Sequence, residues 1–369
     1  MIFLQIINLL KFFFIEKKKK KFVFYSESIF YKNFYIDLVK NLKKKEDLVI
    51  VSSDVNEFRN LNKKKIKSYY ISNNLLKTIF FGTLNCDYLI MTMTDIGNNF
   101  PKSIFKCKYI YFFHSLASTH KIYTKNAFDQ YNIIFVNGDY QIKEIRLNEK
   151  RKNLPNKILV KTGYFFLNFL KKKLNKKKYK KDTVLFAPSW TYENSNLFND
   201  YGLKIIKKLI DLKLNVILRP HPEIIKRFPD KILEIKKAFG KSKKFLLDNS
   251  SSNLISMEKS LLCLTDNSTI TMEYALSLER QVIYLDYKDK IHNPDYKKFT
   301  SKNIDVELKN SIGQVVKCEE LDKLLDTLDS SLLNNERIVK KVNEFEKKYI
   351  SNVNFSSEFA ANFIKSNFL

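Results

Sequence analysis

The sequence predicts an α/β protein of two Rossmann-like domains, each built on a parallel β-sheet. Short apolar runs rich in β-branched and aromatic residues alternate with longer segments of helical periodicity, which is typical of βαβ units. The length of 369 residues is sufficient for two domains with separate hydrophobic cores. With 44% hydrophobic and 14% aromatic residues, the composition excludes a disordered chain.

Apolar runs locate the strands of both sheets. The strands predicted in the first half are 22–26, 48–52, 67–71, 88–91, 108–113, 132–136 and 157–161. Those predicted in the second half are 183–187, 214–218, 244–247, 261–264 and 281–285. Helical patterns occupy 29–43 and 139–149, and after about residue 305 the chain is predicted helical at 319–328, 334–349 and 354–366.

Composition places the domain boundary at 168–182, where lysine replaces apolar residues. Such a segment cannot form a core, so it is a linker or a solvated helix. Two domains joined there are expected to face each other across a cleft. The predicted organisation is a basic N-terminal segment at 1–21, a first domain at 22–167, the linker at 168–182, a second domain at 183–330 and C-terminal helices at 331–369, one of which could brace the first domain.

The formal charge of +27 favours anionic partners. Lysine far outnumbers arginine and occurs in scattered runs, whereas base readout favours arginine, so nucleic acid is not an expected partner. The positive field should attract anionic membrane surfaces and phosphorylated substrates. The lysine runs lie at 17–21, 43–45, 63–65, 171–173 and 176–178.

No metal or cofactor is expected. The four cysteines show no C-x-x-C spacing, which favours buried, reduced thiols in a cytosolic protein. The chain also lacks a G-x-G-x-x-G fingerprint for a dinucleotide.

The N-terminal segment Met1–Ile15 is apolar and is followed by five lysines. Its charges follow the apolar region, unlike those of a signal peptide, and a transmembrane helix needs about 20 apolar residues. An interfacial helix with a basic flank fits better. A first buried helix is the alternative.

The motif Arg219-Pro220-His221-Pro222 directly follows the predicted strand 214–218. Because proline fixes φ at about −65° and favours extended geometry before it, His221 is expected in a stiff turn at the carboxyl end of a strand. Ligands bind at that edge of open α/β sheets, and a His beside a guanidinium suits a phosphate-bearing substrate. A strand-ending turn with a surface His is the alternative.

His114 follows the predicted strand 108–113 and should lie at a carboxyl edge as well. A His there can act as a general base toward an alcohol, because its ordinary pKa of about 6.5 is close to working pH. Ser115 and Ser118 add hydroxyl donors, and His120 lies in the same segment. A structural hydrogen bond is the alternative role for both His.

A third motif runs from strand 261–264 through Asp266 into a hydroxyl-rich turn at Ser268 and Thr269. Backbone N–H groups at the start of the following helix, aided by the two hydroxyls, suit a phosphate. Glu273, one turn inside, could accept hydrogen bonds from a ribose or an acceptor hydroxyl. An ordinary capping box is the alternative.

Two further loops could line a ligand site. Ser189 and Trp190, the only tryptophan, follow the first strand of the second domain, although a packing role for Trp190 is the alternative. Gly163 follows the last strand of the first domain, where a glycine usually marks a turn.

Taken in order, these motifs resemble those of the CDP-glycerol glycerophosphotransferases, the family of teichoic-acid primases and polymerases. The likeness spans roughly residues 105–290. The matching elements are His114 with its Ser/Thr-rich tail, Thr162-Gly163-Tyr164, Phe186-Ala187-Pro188-Ser189-Trp190, Arg219-Pro220-His221-Pro222, Thr265-Asp266-Asn267-Ser268-Thr269 with Glu273, and Tyr284-Leu285-Asp286.

The resemblance implies a GT-B architecture, with two Rossmann-like domains around a catalytic cleft. It implies transfer of glycerol phosphate, or a related polyol phosphate, from a CDP-activated donor to a hydroxyl of a membrane-linked or cell-surface glycan, with release of CMP. Such enzymes work peripherally on the cytoplasmic face of the membrane and need no bound cofactor for the transfer.

The resemblance also implies roles for individual residues. His114 matches the general base, His221 matches the His that contacts the donor diphosphate, and Ser268 with Thr269 match the phosphate-binding helix start. The expected donor and phosphate ligands are Arg219, Asp266, Ser268, Thr269 and Glu273. The other candidates for the cleft are Ser115, Ser118, His120, Gly163, Ser189 and Trp190.

The sequence departs from the family at two positions. His114-Ser115-Leu116-Ala117 stands where the family usually has His-Gly-Thr-Pro, and Gly163 is followed by Tyr-Phe-Phe instead of Tyr-Pro-Arg. Two other functions therefore stay open. One is a GT-B glycosyltransferase that uses a nucleotide sugar in capsule or lipopolysaccharide synthesis, and the other is a non-catalytic polysaccharide-export or scaffold protein.

Overall fold

The computed structural model describes residues 2–42, 47–94, 96–177, 179–180, 182–288, 290–299, 303–324, 327 and 335–368. The chain divides into two compact units. Unit 1 comprises Met1–Ser115, Tyr123–Phe169 and Ile350–Leu369, and unit 2 comprises Leu116–Ile122 and Leu170–Tyr349.

Unit 1 contains a seven-stranded parallel sheet of order β3-β2-β1-β4-β5-β6-β7. The strand order reverses between β1 and β4, which makes the carboxyl ends of these two strands the topological switch point. The strands are β1 Phe22–Ser26, β2 Leu48–Ser52, β3 Ser68–Tyr70, β4 Tyr88–Met91, β5 Lys108–Phe112, β6 Ile133–Val136 and β7 Ile158–Lys161.

Helices cover both faces of this sheet. Successive side chains of each strand point to opposite faces, so each strand contributes apolar residues to two cores. Val23 and Val49 face a core that includes residues of α1 and α4, whereas Phe24 and Ile50 face the core that includes α2 and the last helix, α14. The helices of this part are α1 Ile2–Phe13, α2 Lys32–Leu42, α3 Val55–Lys63, α4 Asn74–Gly82, α5 Asp139–Lys152 and α6 Phe165–Lys173, with α14 at Ser356–Phe368.

Unit 2 contains a six-stranded parallel sheet of order β10-β9-β8-β11-β12-β13, with its switch point between β8 and β11. The strands are β8 Thr183–Phe186, β9 Asn215–Leu218, β10 Phe245–Leu247, β11 Leu262–Thr265, β12 Val282–Asp286 and β13 Gln314–Lys317. The helices are α7 Leu197–Asp211, α8 Pro222–Arg227, α9 Pro229–Phe239, α10 Leu254–Lys259, α11 Ile270–Leu278, α12 Ile304–Ser311 and α13 Asn335–Tyr349.

The predicted class of two Rossmann-like units with parallel sheets is confirmed, and all twelve predicted strands are present within a residue or two. One strand was missed: β13 lies in a stretch predicted to be helical. Only Val316 of this edge strand is buried, so it carries little apolar signal. The predicted helix 319–328 is a 3₁₀ helix over Cys318–Lys323, and its end lies partly outside the described residues.

Within the Lys-rich segment 168–182, predicted to be a linker or a solvated helix, residues 168–173 continue α6, and Phe169 and Leu170 are buried. Residues 178 and 181 of this segment, and the expected domain boundary at 330–331, lie outside the described residues. The four cysteines are free thiols. Among the described residues, no helix has both the length and the apolar character needed to cross a bilayer.

Gly163 follows β7 with φ +82°, and an added Cβ would lie 2.0 Å from the carbonyl oxygen of Ser351. Gly163→Ala should therefore lower the free energy of unfolding by about 2 kcal/mol or more, through backbone strain and displacement of the C-terminal segment. Urea unfolding monitored by circular dichroism measures the loss.

Gly202→Ala is the matched control. Gly202 lies within α7, where an added Cβ would contact Phe198 at an ordinary 3.5 Å. The higher helix propensity of alanine, about 1 kcal/mol, should leave this variant as stable as the parent or more so. Equal stability of the Gly163→Ala and Gly202→Ala variants would contradict the proposed close approach.

Candidate functional site

The loops that follow β8 and β11 are joined at the switch point of unit 2. The backbone N–H and the hydroxyl of Ser189 donate to the two carboxylate oxygens of Asp266, at 2.8 and 2.6 Å. The Thr265 hydroxyl donates to the carbonyl oxygen of Ala187 at 2.7 Å. Burial raises the pKa of Asp266, while the hydrogen bonds from Ser189 act in the opposite direction. The structure thus brings the predicted residues Ser189 and Asp266 together as a buried brace.

Trp190 follows this brace and lies at the centre of an aromatic cluster. Its ring centroid is 5.7 Å from that of His221, 5.0 Å from that of Tyr192 and 5.1 Å from that of His292. The side chain of Trp190 is only half-buried. Trp190 packs against the hydrophobic core of unit 2, and because it also stands at the edge where open α/β sheets bind ligands, its contact with a ligand stays a prediction.

Two cations accompany the cluster. The guanidinium of Arg227 lies 5.4 Å from the Trp190 ring centroid and 4.9 Å from that of Tyr192. The Lys290 ammonium lies 4.8 Å from the Trp190 ring centroid. Burial lowers the pKa of Lys290 to about 8, although the carboxylate of Asp266 favours the charged form. We name Trp190, Tyr192, His221, Arg227, Lys290 and His292 the Trp190 cluster.

His221 is the N-cap residue of α8, and Pro222 occupies the first helical position. The Nδ1 atom of His221 accepts a hydrogen bond from the backbone N–H of Glu223 at 3.2 Å. An accepting nitrogen is unprotonated, so the proton of a neutral His221 is on Nε2. With Nδ1 accepting from the local backbone, Nε2 is the ring nitrogen of a neutral His221 that donates hydrogen bonds.

His292 has a buried Nε2 atom without a hydrogen-bond partner among the described residues. Burial and the neighbouring charge of Lys290 lower the pKa of His292 to about 4, although a hydrogen bond with the backbone of Ile122 opposes them. A neutral imidazole with an unsatisfied nitrogen next to Trp190 could bind a polar ligand group.

The Arg219 side chain forms an ion pair and hydrogen bonds with other residues of unit 2. Its guanidinium pairs with the carboxylate of Asp248 at 2.7 Å and donates to the carbonyl oxygen of Ser250 at 3.0 Å. Burial raises the pKa of Asp248, but hydrogen bonds from Ser250 and Ser256 and the charge of Arg219 lower it overall. Arg219 thus fixes the loop after β10, and its contact with a diphosphate stays a prediction.

Ser268 and Thr269 precede α11, as expected. Thr269 is the N-cap residue with helical backbone angles, and its side chain makes no capping hydrogen bond, so it forms no capping box. Ser268 and Thr269 are half-buried residues, whereas Glu273 is buried in the first turn of the helix. This helix start retains the backbone N–H groups and hydroxyls that suit an anion.

His114 lies in unit 1, beyond the end of β5 and beside the end of β4. Its Nδ1 atom shares a hydrogen bond with the Thr92 hydroxyl. The ring packs edge-on against Tyr31, at 5.2 Å between centroids, and against Tyr123, at 6.0 Å. Tyr31 follows β1, so His114 stands near the switch point of the first sheet.

The residues that follow His114 have separate roles. Ser115 stays in unit 1, and its buried hydroxyl has no partner in the described part of the chain. Ser118 and His120 group with unit 2. The Ser118 hydroxyl donates to the side-chain oxygen of Asn303 at 2.5 Å, before α12, and the His120 ring stacks on Phe299 at 5.2 Å. These contacts tie Ser118 and His120 to other residues of unit 2, and their place in a ligand cleft stays a prediction.

Sequence reasoning missed Thr92 and four members of the Trp190 cluster, namely Tyr192, Arg227, Lys290 and His292. Their signal is weak because Lys290 and His292 lie in an irregular loop after β12 that has no motif. The only feature of the sequence that pointed to His292 was that the chain has just four histidines. No group of three or more His, Cys, Asp or Glu side chains in the described ranges could hold a metal ion.

The comparisons with known proteins concern the fold. No protein-family model and no curated protein sequence matches the chain. Wall teichoic acid polymerase TagF has a TM-score of 0.58 at 15% identity, over 98% of this chain and 92% of its own. A TagF variant soaked with CDPG has a TM-score of 0.60 at 15% identity, over 95% and 88%. The S. aureus MnaA–UDP structure has a TM-score of 0.64 at 15% identity, over 94% and 96%.

At these identities the likeness shows the fold and nothing finer. The chain has a GT-B-like fold, with two Rossmann-like units that each contain a parallel sheet and helices, as the sequence predicted.

The lowered pKa of His292 can be measured directly. Its imidazole should stay neutral, with unchanged NMR shifts, from about pH 8 down to about pH 5.5, because burial and Lys290 both disfavour the charged form. A His292→Gln variant assigns the resonance. Lys290→Ala should raise the pKa of His292, and a midpoint near the ordinary value of about 6.5 in the parent protein would contradict the arrangement.

Proposed function

We propose that the protein transfers glycerol phosphate, or a related polyol phosphate, from a CDP-activated donor to a hydroxyl of a membrane-linked or cell-surface glycan, releasing CMP. The observation that carries the proposal is the Trp190 cluster at the switch point of unit 2, which combines aromatic rings with two cations. Aromatic rings can stack against a nucleobase or another planar group of a substrate, and the two cations can pair with a diphosphate.

Three groups in unit 2 would bind the donor phosphates. The Lys290 ammonium supplies positive charge, His221 Nε2 supplies a donor, and the start of α11 at Ser268 and Thr269 supplies backbone N–H groups and hydroxyls. Neutralisation of charge on the diphosphate favours departure of the nucleotide. Positioning and electrostatics of this kind provide most of the catalysis in phosphoryl transfer.

His114 would serve as the general base. If Nδ1 donates to the Thr92 hydroxyl oxygen, the lone pair is on Nε2, which can remove the proton of the acceptor hydroxyl. Thr92 is then a positioning residue that selects the tautomer of His114.

The reaction conserves atoms and charge in one displacement. The acceptor oxygen forms a bond to the β-phosphorus of the donor, and the bond between that phosphorus and the bridging oxygen breaks. CMP leaves with the bridging oxygen and its electron pair, while the acceptor proton passes to His114.

The resemblance of the ordered motifs to the CDP-glycerol family supports this donor, as does the likeness to TagF, one structure of which was soaked with CDPG. A second candidate is a glycosyltransferase that uses a nucleotide sugar. The likeness to MnaA, whose structure contains UDP, supports it.

Identification of the released nucleotide distinguishes the two candidates. The protein is incubated with CDP-glycerol or with UDP-N-acetylglucosamine, each with a bacterial membrane extract as the source of acceptors. We expect release of CMP from CDP-glycerol above the rate of the extract alone. Release of UDP without CMP would favour the glycosyltransferase, and turnover of neither donor would contradict both.

His114→Ala should lower turnover about 10²–10⁴-fold, the usual contribution of a general base, while the melting temperature changes little because His114 is half-buried. Thr92→Val should lower turnover less and change its pH profile, whereas Thr92→Ser, which retains the hydroxyl, should restore it. Loss of stability with unchanged specific activity in His114→Ala would show that His114 is structural.

A further inference from the structure

Two cysteines of unit 1 lie against each other at the amino ends of neighbouring strands. Cys86 is two residues before β4, and Cys107 directly precedes β5. Both are free thiols, and their Sγ atoms are 3.4 Å apart. Because the sulfurs of a disulfide are about 2.05 Å apart, a small movement of the two side chains would bring them to bonding distance.

Hydrogen bonds hold the chain in place on both sides of this pair. After the two cysteines, the N–H of Lys108 donates to the carbonyl oxygen of Asp87 at 2.9 Å. Before them, the Ser103 hydroxyl donates to the carbonyl oxygen of Leu84 at 2.7 Å. The segments that lead into β4 and β5 are thus already joined. Reaction between groups positioned in this way has the advantage of an intramolecular step.

The two thiols differ in their access to solvent. Cys86 is buried, whereas Cys107 is partly exposed. Burial and the adjacent Cys107 raise the pKa of Cys86 well above its usual range, although the charge of Lys20 opposes them. A reagent in solution therefore reaches Cys107 first, and Cys86 can react only with a group that is already attached to Cys107.

A metal centre at this pair is not favoured. No group of three or more His, Cys, Asp or Glu side chains in the described ranges could hold a metal ion, so the two sulfurs lack further ligands there. Two adjacent thiols without a metal have one characteristic reaction, which is oxidation to a disulfide. In a reducing compartment such a bond is transient and serves redox sensing or catalysis.

We propose that Cys86 and Cys107 form a redox modification site, at which a low-molecular-weight disulfide such as glutathione disulfide converts the two thiols reversibly into one disulfide. The site lies at the amino edge of the first sheet, whereas His114 stands beyond the carboxyl end of β5. The proposal therefore does not depend on the donor or on the transfer reaction.

The oxidation consists of two thiol–disulfide exchanges. The Cys107 thiolate attacks one sulfur of glutathione disulfide, whose S–S bond breaks, and one glutathione thiolate leaves. The Cys86 thiolate then attacks the Cys107 sulfur of the mixed disulfide, and the second glutathione thiolate leaves. Two protein thiols are oxidised, one glutathione disulfide is reduced to two glutathione molecules, and the two cysteine protons pass to the leaving thiolates.

Mass spectrometry of the full chain tests the proposal without any substrate. The folded protein is incubated with glutathione disulfide in the absence of air, remaining thiols are alkylated, and peptides are analysed without reduction. We expect a linked pair of peptides that contain Cys86 and Cys107, which dithiothreitol separates again. Cys263 and Cys318, which are buried in unit 2, should be modified about tenfold more slowly or less.

Two variants separate the roles of the thiols. Cys86→Ala removes the second thiol without burying a hydroxyl, so a mixed disulfide of Cys107 with glutathione should accumulate, which the parent protein does not retain. Cys107→Ser should lower the rate of glutathione disulfide consumption about tenfold or more, because Cys86 is buried. Cys318→Ala is the matched control and should leave disulfide formation unchanged.

Circular dichroism and melting temperature verify that each variant is folded, and the parent protein alone decides the matter if Cys86→Ala is not. The proposal fails if the folded parent protein retains the mixed disulfide of Cys107, or if neither cysteine reacts. It also fails if Cys107 instead links two copies of the chain, or if Cys86 reacts in Cys107→Ser as rapidly as in the parent protein.

Discussion

The candidate site depends on the buried hydrogen bonds between Ser189 and Asp266. β8 and β11 are neighbours only because the strand order of the second sheet reverses there, so the loops after them come from distant parts of the sequence. Hydrogen bonds to a carboxylate each contribute about 1.5–3 kcal/mol and are costly to leave unmade when buried. With both donors of Ser189 used, the next residue, Trp190, is held at the sheet edge, and His221, Lys290 and His292 gather around its ring.

The fold was largely predictable because parallel strands buried on both faces appear as short, continuous apolar runs. The run at 48–52 and the strand β2 coincide, and His114 and His221 follow strands as expected. The edge strand β13 escaped because only one of its residues is buried. Apolar runs in a sequence indicate buried strands, so an edge strand that is mostly exposed is difficult to recognise from them.

The site was predictable only where its residues directly follow strands. Ser189, Asp266 and Ser268 fall into this class, whereas Lys290 and His292 reach Trp190 through an irregular loop. His114 and His120 lie in one segment of the sequence but group with different units, and the His120 ring stacks on Phe299. Contacts of this kind arise from tertiary packing, and no local periodicity in the sequence predicts them.

The central claim is that a nucleoside diphosphate binds beside Trp190, and the chain offers a direct probe because Trp190 is its only tryptophan. Titration of the protein with CDP while recording tryptophan fluorescence is the most direct test. The account predicts a saturable change in emission as CDP binds. In the Lys290→Ala variant the midpoint should shift to an about tenfold higher CDP concentration, because one close charge contact with the diphosphate is lost. Binding of CDP by calorimetry with no change in emission, or with equal affinity in Lys290→Ala, would contradict it.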